Sequence, residues 1–132
     1  MMYAGVLIRL AAYRQLGRQF TFQLSVRKGH KLITDGPYSI VRHPGYVGSV
    51  LFFSGACTSQ IFCRGSWFME SGAWASVGGK LFAVTYLGYI SFLLSCLVLR
   101  IPNEDLVMQQ EFKEEWVEWS KRTPYRLIPF VY

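Results

Sequence analysis

The sequence predicts an all-α integral membrane protein in which a transmembrane hairpin separates a polar loop from a C-terminal helix. Hydrophobic residues make up 52% of the 132-residue chain and charged residues only 17%, against about a quarter charged in a typical soluble domain. Neither 44–63 nor 81–99 contains Asp, Glu, Lys or Arg. A helix of about 20 residues rises about 30 Å, the thickness of a hydrocarbon core. A soluble bundle is disfavoured, because so short a chain cannot easily cover two helices that are apolar all round.

The N-terminal part of the chain predicts a helix over residues 3–24 that carries three arginines. Its apolar run is too short to span a membrane, so it is either an interfacial helix or the end of a longer one. It does not read as a signal peptide, because Arg9 interrupts the apolar stretch and no small-residue cleavage site follows. Residues 25–42 then form a polar segment, with Asp35-Gly36-Pro37 as its strongest turn signal.

The hairpin is predicted to consist of helices over 44–63 and 81–99, joined by a loop over 64–80. Pro44 suits the first turn of the first helix, where its missing N–H is not needed. Pro102 predicts a kink or break after the second helix. A new C-terminal helix is then expected to start with Asn103 as its N-cap.

The C-terminal helix is expected to carry one apolar stripe, because four large residues recur at spacings of four, four and three: Met108, Phe112, Trp116 and Trp119.

At 132 residues the chain is predicted to be a single domain. The three cysteines include no CxxC pair and do not indicate a disulfide framework. The net charge of +6 comes from dispersed basic residues, so nucleic-acid binding is not expected.

Lysine and arginine counts predict the orientation of the hairpin. Residues 25–43 and 100–132 hold nine of these cations between them, whereas the loop over 64–80 holds two. Because cytosolic loops carry the excess of Lys and Arg, the polar segment and the C-terminal helix are both predicted to be cytosolic. The polar segment and the C-terminal helix, which hold most of the candidate site residues, can therefore meet on one side of the membrane.

The sequence Arg42-His43-Pro44-Gly45-Tyr46 stands at a helix N-terminus beside the membrane. Free N–H groups and positive potential suit a carboxylate or phosphate there, but interfacial anchoring by Arg and Tyr explains the pattern equally well. His30 and His43 lack a third His or Cys at ligand spacing, so no metal site is predicted.

Arg100 and Glu104 lie four residues apart, at the predicted cytosolic end of the second span. On a continuous helix they would share a face, although Pro102 makes that continuity uncertain. From spacing alone, a snorkelling arginine beside a helix-start acid is the better interpretation.

Two motifs resemble those of the isoprenylcysteine carboxyl methyltransferase family. The first is the pattern His, aliphatic, Thr, Gly, Tyr, then Arg-His-Pro-x-Tyr-x-Gly, which here runs from His30 to Gly48. The second begins with Arg, has an acid pair four residues on, continues through Phe and acid-aromatic positions, and ends in Arg-Leu-Ile-Pro. In this chain it runs from Arg100 to Pro129. Both motifs occur in order, on either side of the predicted hairpin.

The chain departs from the family pattern at three points. Asp105 stands where a second Glu is usual, and Lys113 stands where a Gly usually follows the Phe. The family's members also carry further transmembrane helices before this region, so the chain resembles a C-terminal portion. Its activity without upstream helices is a separate question from its family.

The resemblance implies S-adenosyl-L-methionine as methyl donor and the C-terminal carboxylate of a prenylated cysteine as acceptor, at the endoplasmic reticulum membrane with the site facing the cytosol. Arg100 would be the catalytic residue that binds the substrate carboxylate, since a guanidinium grips both oxygens. Prenylated protein C-termini and membrane lipid would be the partners. The polar cofactor-binding loop and its surroundings would hold the methyl donor through Gln23, His30, Lys31, Leu32, Ile33, Tyr38, His43, Pro44, Gly45, Tyr46 and Glu104.

Two alternatives to this activity remain at the level of sequence. One is a membrane methyltransferase of the same architecture that acts on a lipid amine or another small acceptor. The other is a non-catalytic fragment that keeps the motifs without a closed site.

Overall fold

The computed structural model describes residues 1–17, 31–129 and 131, and within these ranges every regular element is helical. The elements in order are α1 (Met2–Leu16), a 3₁₀ turn (Gly36–Ser39), α2 (Pro44–Cys57) with a π-helical continuation (Thr58–Phe62), α3 (Trp67–Glu70), a second 3₁₀ turn (Ala73–Ala75) and α4 (Val77–Arg122). Two of these helical segments are long and apolar enough to cross a membrane, one beginning at Pro44 and one at Val77. The all-α fold with a candidate transmembrane hairpin is therefore confirmed.

Helix α1 packs antiparallel along α2 at very close range. A Cβ on Gly5 would lie 2.6 Å from the Gly48 carbonyl oxygen, and one on Gly55 would lie 2.8 Å from the Met2 nitrogen. Small residues at a helix interface allow such backbone approach and are typical of packing inside membranes. The structure thus favours α1 as a member of the helical bundle over an isolated interfacial helix.

The predicted helix over 3–24 does not continue past Leu16 as one unbroken helix. Helix α1 ends at Leu16, and Gly17 follows with φ 51° and ψ −125°. That left-handed φ is accessible to glycine and terminates the helix. Residues 18–24 lie outside the described part of the chain.

The first predicted span, 44–63, agrees with α2 and its continuation to Phe62 within one residue. The connection over 64–80 is not the plain loop that was predicted. Ser66 caps α3 by accepting a hydrogen bond from the Met69 N–H, and α4 already begins at Val77. These short helices bury Phe68, so the connection contributes packing as well as a turn.

The predicted break at Pro102, with Asn103 as a new N-cap, is wrong. Helix α4 continues through Pro102 and departs from helical backbone angles at Lys113, where φ is 46° and ψ −112°. Pro102 removes one intrahelical hydrogen bond, but an ion pair between Arg100 and Glu104 connects the turns on either side of it. The bend at Lys113 also means that the four-residue apolar stripe does not lie on one straight helix.

The hairpin is joined differently at its two ends. Beside the connection, Ile61, Phe68 and Ala83 form a buried apolar core against which Ala73, Trp74 and Tyr86 pack; these six residues are called the connector cluster below. At the opposite end, the start of α2 meets the middle of α4 and the C-terminal tail through charged groups.

Candidate functional site

The start of α2 is joined to the C-terminal tail by main-chain hydrogen bonds. The Arg42 N–H donates to the Tyr125 carbonyl over 2.9 Å, and the His43 N–H donates to the Arg126 carbonyl over 3.0 Å. Arg42 Nη2 also donates to the Pro124 carbonyl at 2.7 Å. The Arg-His-Pro motif and the Arg-Leu-Ile-Pro motif are thus adjacent in space, although about 80 residues separate them.

Asp105 is the charged centre of this junction, and its side chain is only 7% exposed. Its carboxylate lies 2.9 Å from Arg42 Nη1, 2.9 Å from His43 Nε2 and 3.2 Å from Arg126 Nε. Asp105 lies beyond the charge-free span 81–99. Burial alone would raise its pKa, but the hydrogen bond and charge of His43, with the charges of Arg42 and Arg126, hold the pKa of Asp105 below its usual range.

Glu104 forms a second set of contacts one residue earlier on α4. Tyr46 donates its hydroxyl to Glu104 Oε1, and Arg100 Nε lies 2.8 Å from the same oxygen, an ion pair on one helix face. The His43 ring connects the two carboxylates, since its Nδ1 lies 3.6 Å from Glu104 Oε2. We name the seven residues that meet here the junction cluster: Arg42, His43, Tyr46, Arg100, Glu104, Asp105 and Arg126.

The junction cluster contains more guanidinium groups than carboxylates. Its two carboxylates face three arginines, apart from His43. Arg42 is deeply placed, with 11% of its side chain exposed, whereas Arg100 is 39% exposed. A partly exposed guanidinium beside an excess of positive charge can bind an incoming carboxylate. Arg100 and Arg126, which is 35% exposed, both fit that description.

An aromatic wall adjoins the junction cluster. The Trp119 indole N–H donates to the Tyr38 carbonyl at 3.2 Å, and the Trp116 ring lies 5.7 Å from the Arg42 guanidinium carbon. Burial, together with the nearby Tyr13 and Glu104, raises the pKa of Tyr38. Trp119 lies beyond the Lys113 bend, so this part of α4 fixes the main chain at Tyr38.

The structure brings several of the predicted site residues together. His43, Tyr46 and Arg100 all contact Glu104, and Pro44 and Gly45 lie in the first turn of α2. Lys31, Leu32 and Ile33 precede the Gly36–Ser39 turn in irregular conformations. Gln23 and His30 lie outside the described residues. The cofactor-binding roles of all these residues stay predictions.

Three residues that sequence reasoning did not place in the site are central to its geometry: Arg42, Asp105 and Arg126. All three belong to the matched motifs, so the signal was present. What the sequence did not indicate was their partnership, because they come from three separate segments. From the sequence alone, Asp105 is only the second acid of the C-terminal motif, whereas in the structure it pairs with two arginines from elsewhere in the chain.

These features describe an all-helical membrane protein with a polar site at one end of a transmembrane hairpin. Residues 1–84 match the model of the isoprenylcysteine carboxyl methyltransferase family. The chain is 32% identical over 99% of its length to protein-S-isoprenylcysteine O-methyltransferase B of Arabidopsis thaliana, and 29% identical over 99% to a probable protein-S-isoprenylcysteine O-methyltransferase of Oryza sativa subsp. indica. The chain belongs to the isoprenylcysteine carboxyl methyltransferase family.

The chain spans 57% and 59% of the length of these two relatives. It is also 28% identical, over 79% of its own length, to a delta(14)-sterol reductase of Mus musculus, of which it covers 20%. No solved structure matches the chain. The methyltransferases therefore match both more of this chain and more of their own length than the sterol reductase does.

Proposed function

We propose that this chain carries the site for S-adenosyl-L-methionine-dependent methylation of the C-terminal carboxylate of prenylated cysteine in proteins. The observation that carries the proposal is the contact between the two motifs at one end of the hairpin, where Glu104 meets His43, Tyr46 and Arg100. Residues that the family resemblance assigns to the methyl donor and to the acceptor are thereby neighbours, as a direct transfer requires.

The chemistry of the donor set fits the methyl donor. When bound, S-adenosyl-L-methionine supplies a methyl group on a positively charged sulfonium. Glu104 would accept hydrogen bonds from its ammonium or ribose, and the turn from His43 to Tyr46 would hold it, together with Gln23, the strip from His30 to Ile33, and Tyr38. Tyr38 offers a hydroxyl that is protonated at neutral pH, as that of an ordinary tyrosine is.

The chain's own residues would act by orientation and not by proton transfer. An acceptor carboxylate with an ordinary pKa of about 3.5 is ionised at neutral pH, so no general base is needed. Arg100 would hold both carboxylate oxygens and direct one of them at the methyl group. Because opposite charges cancel as the methyl moves, exclusion of water by the surrounding aromatic side chains and the bilayer favours the transfer.

The lysine and arginine counts support a cytosolic site, and the proposed location is the endoplasmic reticulum membrane. Its substrates would be prenylated protein C-termini, whose apolar chain the bilayer delivers. The sterol reductase of the comparison also has, by its name, an apolar lipid as substrate. This shared feature supports an apolar acceptor for the present site.

Replacement of Arg100 by Lys tests the proposal. If the Arg100 side chain only contacts lipid headgroups, a lysine should support turnover equally well, because either cation can extend to the interface. If it aligns a carboxylate, Lys should lower turnover by about 100-fold, because a point charge does not fix both oxygens. Methyl transfer from labelled S-adenosyl-L-methionine to a farnesylated cysteine acceptor, and cofactor affinity, are measured in micelles on the full chain.

Arg64→Lys is the matched control, since Arg64 is exposed in the connection at the opposite end of the hairpin. Near-normal turnover in Arg100→Lys would contradict the carboxylate role. Loss of cofactor affinity together with turnover would assign Arg100 a structural role beside Pro102. Transfer by the unaltered chain to a lipid amine in place of the farnesylated cysteine would support the alternative acceptor.

A further inference from the structure

Arg9 is a cation placed against the second turn of α2. Its Nη1 donates to the Ser49 hydroxyl, and its Nε donates to the Tyr13 hydroxyl at 2.7 Å. Ser49 is 2% exposed and lies five residues after Pro44, which corresponds to about 7 Å along the helix. The Arg9 guanidinium therefore lies near the polar end of the hairpin, close to the first turn of α2.

No acidic side chain in the described part of the chain neutralises Arg9. All eight acidic side chains lie in the described ranges, and none of them forms an ion pair with Arg9. Its hydrogen-bond partners are two neutral hydroxyls, and its guanidinium also lies 5.2 Å from the Tyr13 ring centre. Hydroxyls and a ring stabilise the charge only partly, so the position favours an anionic ligand group.

Arg9 is connected to the turn that the proposed function assigns to the methyl donor. The Ser49 hydroxyl, which accepts from Arg9, donates to the Gly45 carbonyl at 3.0 Å. Tyr13 approaches the same residue, since a Cβ on Gly45 would lie 3.8 Å from Tyr13 Cε1. Tyr13 also lies close enough to Tyr38 to affect its ionisation, as does Glu104. Helix α1 therefore forms one wall of the site.

A tally of charges shows which cation is available. A methyl donor with an amino-acid group and a carboxylate acceptor together bring two carboxylates into the site. Arg42 and Arg126 are paired with Asp105, and the proposed function assigns Arg100 to the acceptor. Of these four described arginines, Arg9 is the one that pairs with no acidic side chain and is not assigned to the acceptor.

We propose that Arg9 binds the carboxylate of the methionine portion of the methyl donor. The inference rests on the proposed function, because it assumes that the donor is S-adenosyl-L-methionine. It assigns α1 a ligand-binding role beyond helix packing, and it gives Ser49 and Tyr13 the task of positioning the guanidinium.

The test compares two ligands that differ only in this carboxylate: S-adenosyl-L-methionine and its decarboxylated form. Calorimetry on the full chain in maltoside micelles gives both dissociation constants for the unaltered chain, Arg9→Gln and Arg9→Lys. The ratio of the two constants is used, because it is insensitive to the fraction of protein that is correctly folded. Arg14→Gln is the matched control, since Arg14 is exposed on the same helix.

The unaltered chain and Arg14→Gln should bind S-adenosyl-L-methionine about 10- to 100-fold more tightly than the decarboxylated form, as expected for a charge-assisted hydrogen bond. Arg9→Gln should reduce that ratio to near one, and Arg9→Lys should retain part of it. An unchanged ratio in Arg9→Gln would overturn the inference and leave the proposed function intact. Binding of neither ligand by the unaltered chain would instead contradict the proposed function.

A lipid phosphate is another anion that can bind Arg9 near the membrane interface. The titrations are therefore repeated with added phosphatidylglycerol. If Arg9 binds lipid phosphate and not the donor, the ligand ratio will be the same in all variants. Added lipid will then raise the stability of the unaltered chain more than that of Arg9→Gln. That outcome would overturn the assignment to the donor carboxylate.

Discussion

The junction cluster and the connector cluster hold the same hairpin together by different chemistry. At the junction, seven polar residues from the start of α2 and the two residues before it, from α4 and from the tail form ion pairs and hydrogen bonds. At the connector, Phe68 lies edge-on to Trp74 with ring centres 5.4 Å apart, and Phe82 stacks with Tyr86 at 5.9 Å. The junction cluster depends on specific charged partners, whereas the connector cluster depends mainly on close packing of apolar side chains.

This difference indicates which end is built for ligands. Apolar packing would hold the junction equally well, because replacement of a buried ion pair by apolar residues is often neutral or stabilising. The charged groups at the junction are therefore better explained by binding than by stability. The two clusters should respond differently to substitution, in stability and in cofactor affinity.

The largest effect is expected for Asp105→Ala. Its removal leaves Arg42 and Arg126 without their shared carboxylate, and loss of one partner of a buried pair costs about 3–5 kcal/mol. The free energy of unfolding in micelles and the cofactor affinity should both fall. Glu118→Ala, an exposed acid on the same helix, should change stability by less than about 0.5 kcal/mol. Equal stability of the two variants would show that Asp105 does not organise the junction.

Ile61→Ala tests the connector cluster. Ile61 is 2% exposed, and its truncation should cost about 2–3 kcal/mol, the low end for this change, because exposed neighbours such as Phe62 can shift into the space. Cofactor affinity of the folded protein should stay the same, since the junction is at the other end of the hairpin. A fall in affinity as large as that in Asp105→Ala would mean that the two ends do not act separately.

The sequence predicted the parts of the fold that depend on local composition. The charge-free runs predicted the first span to within one residue and the start of the second to within four residues. The lysine and arginine counts predicted that the two motif-bearing regions lie on the same side of the membrane. The sequence did not predict that α4 would continue through Pro102. The ion pair between Arg100 and Glu104 connects the turns on either side of Pro102, but it forms only if that stretch is already helical. Nor did it predict Asp105 as the centre of the junction, because its partners come from other segments and only the fold places them together.

One departure from the family pattern did point to a special backbone position. The resemblance places a glycine after Phe112, and this chain has Lys113 there. The structure gives Lys113 a φ of 46° and a ψ of −112°, and it is the only described residue other than glycine with positive φ. The bend at Lys113 precedes the segment that carries Trp119 to the Tyr38 carbonyl and Arg126 to Asp105, so this side of the junction is formed beside a strained backbone position.

The smallest effect is expected for Lys113→Gly, and it should be a gain. A side chain at such backbone angles costs about 1–3 kcal/mol, and glycine removes that strain while adding freedom to the unfolded chain. The net result should be a free energy of unfolding higher by about 1 kcal/mol.

Lys113→Ala is the matched control, because alanine loses the charge and the long side chain but keeps the Cβ atom that causes the strain. If alanine stabilises the protein as much as glycine does, the gain comes from the lost lysine side chain and the bend is not strained. If only glycine stabilises it, the junction is held in place against strain at Lys113, whereas nothing comparable opposes the connector cluster in the described residues.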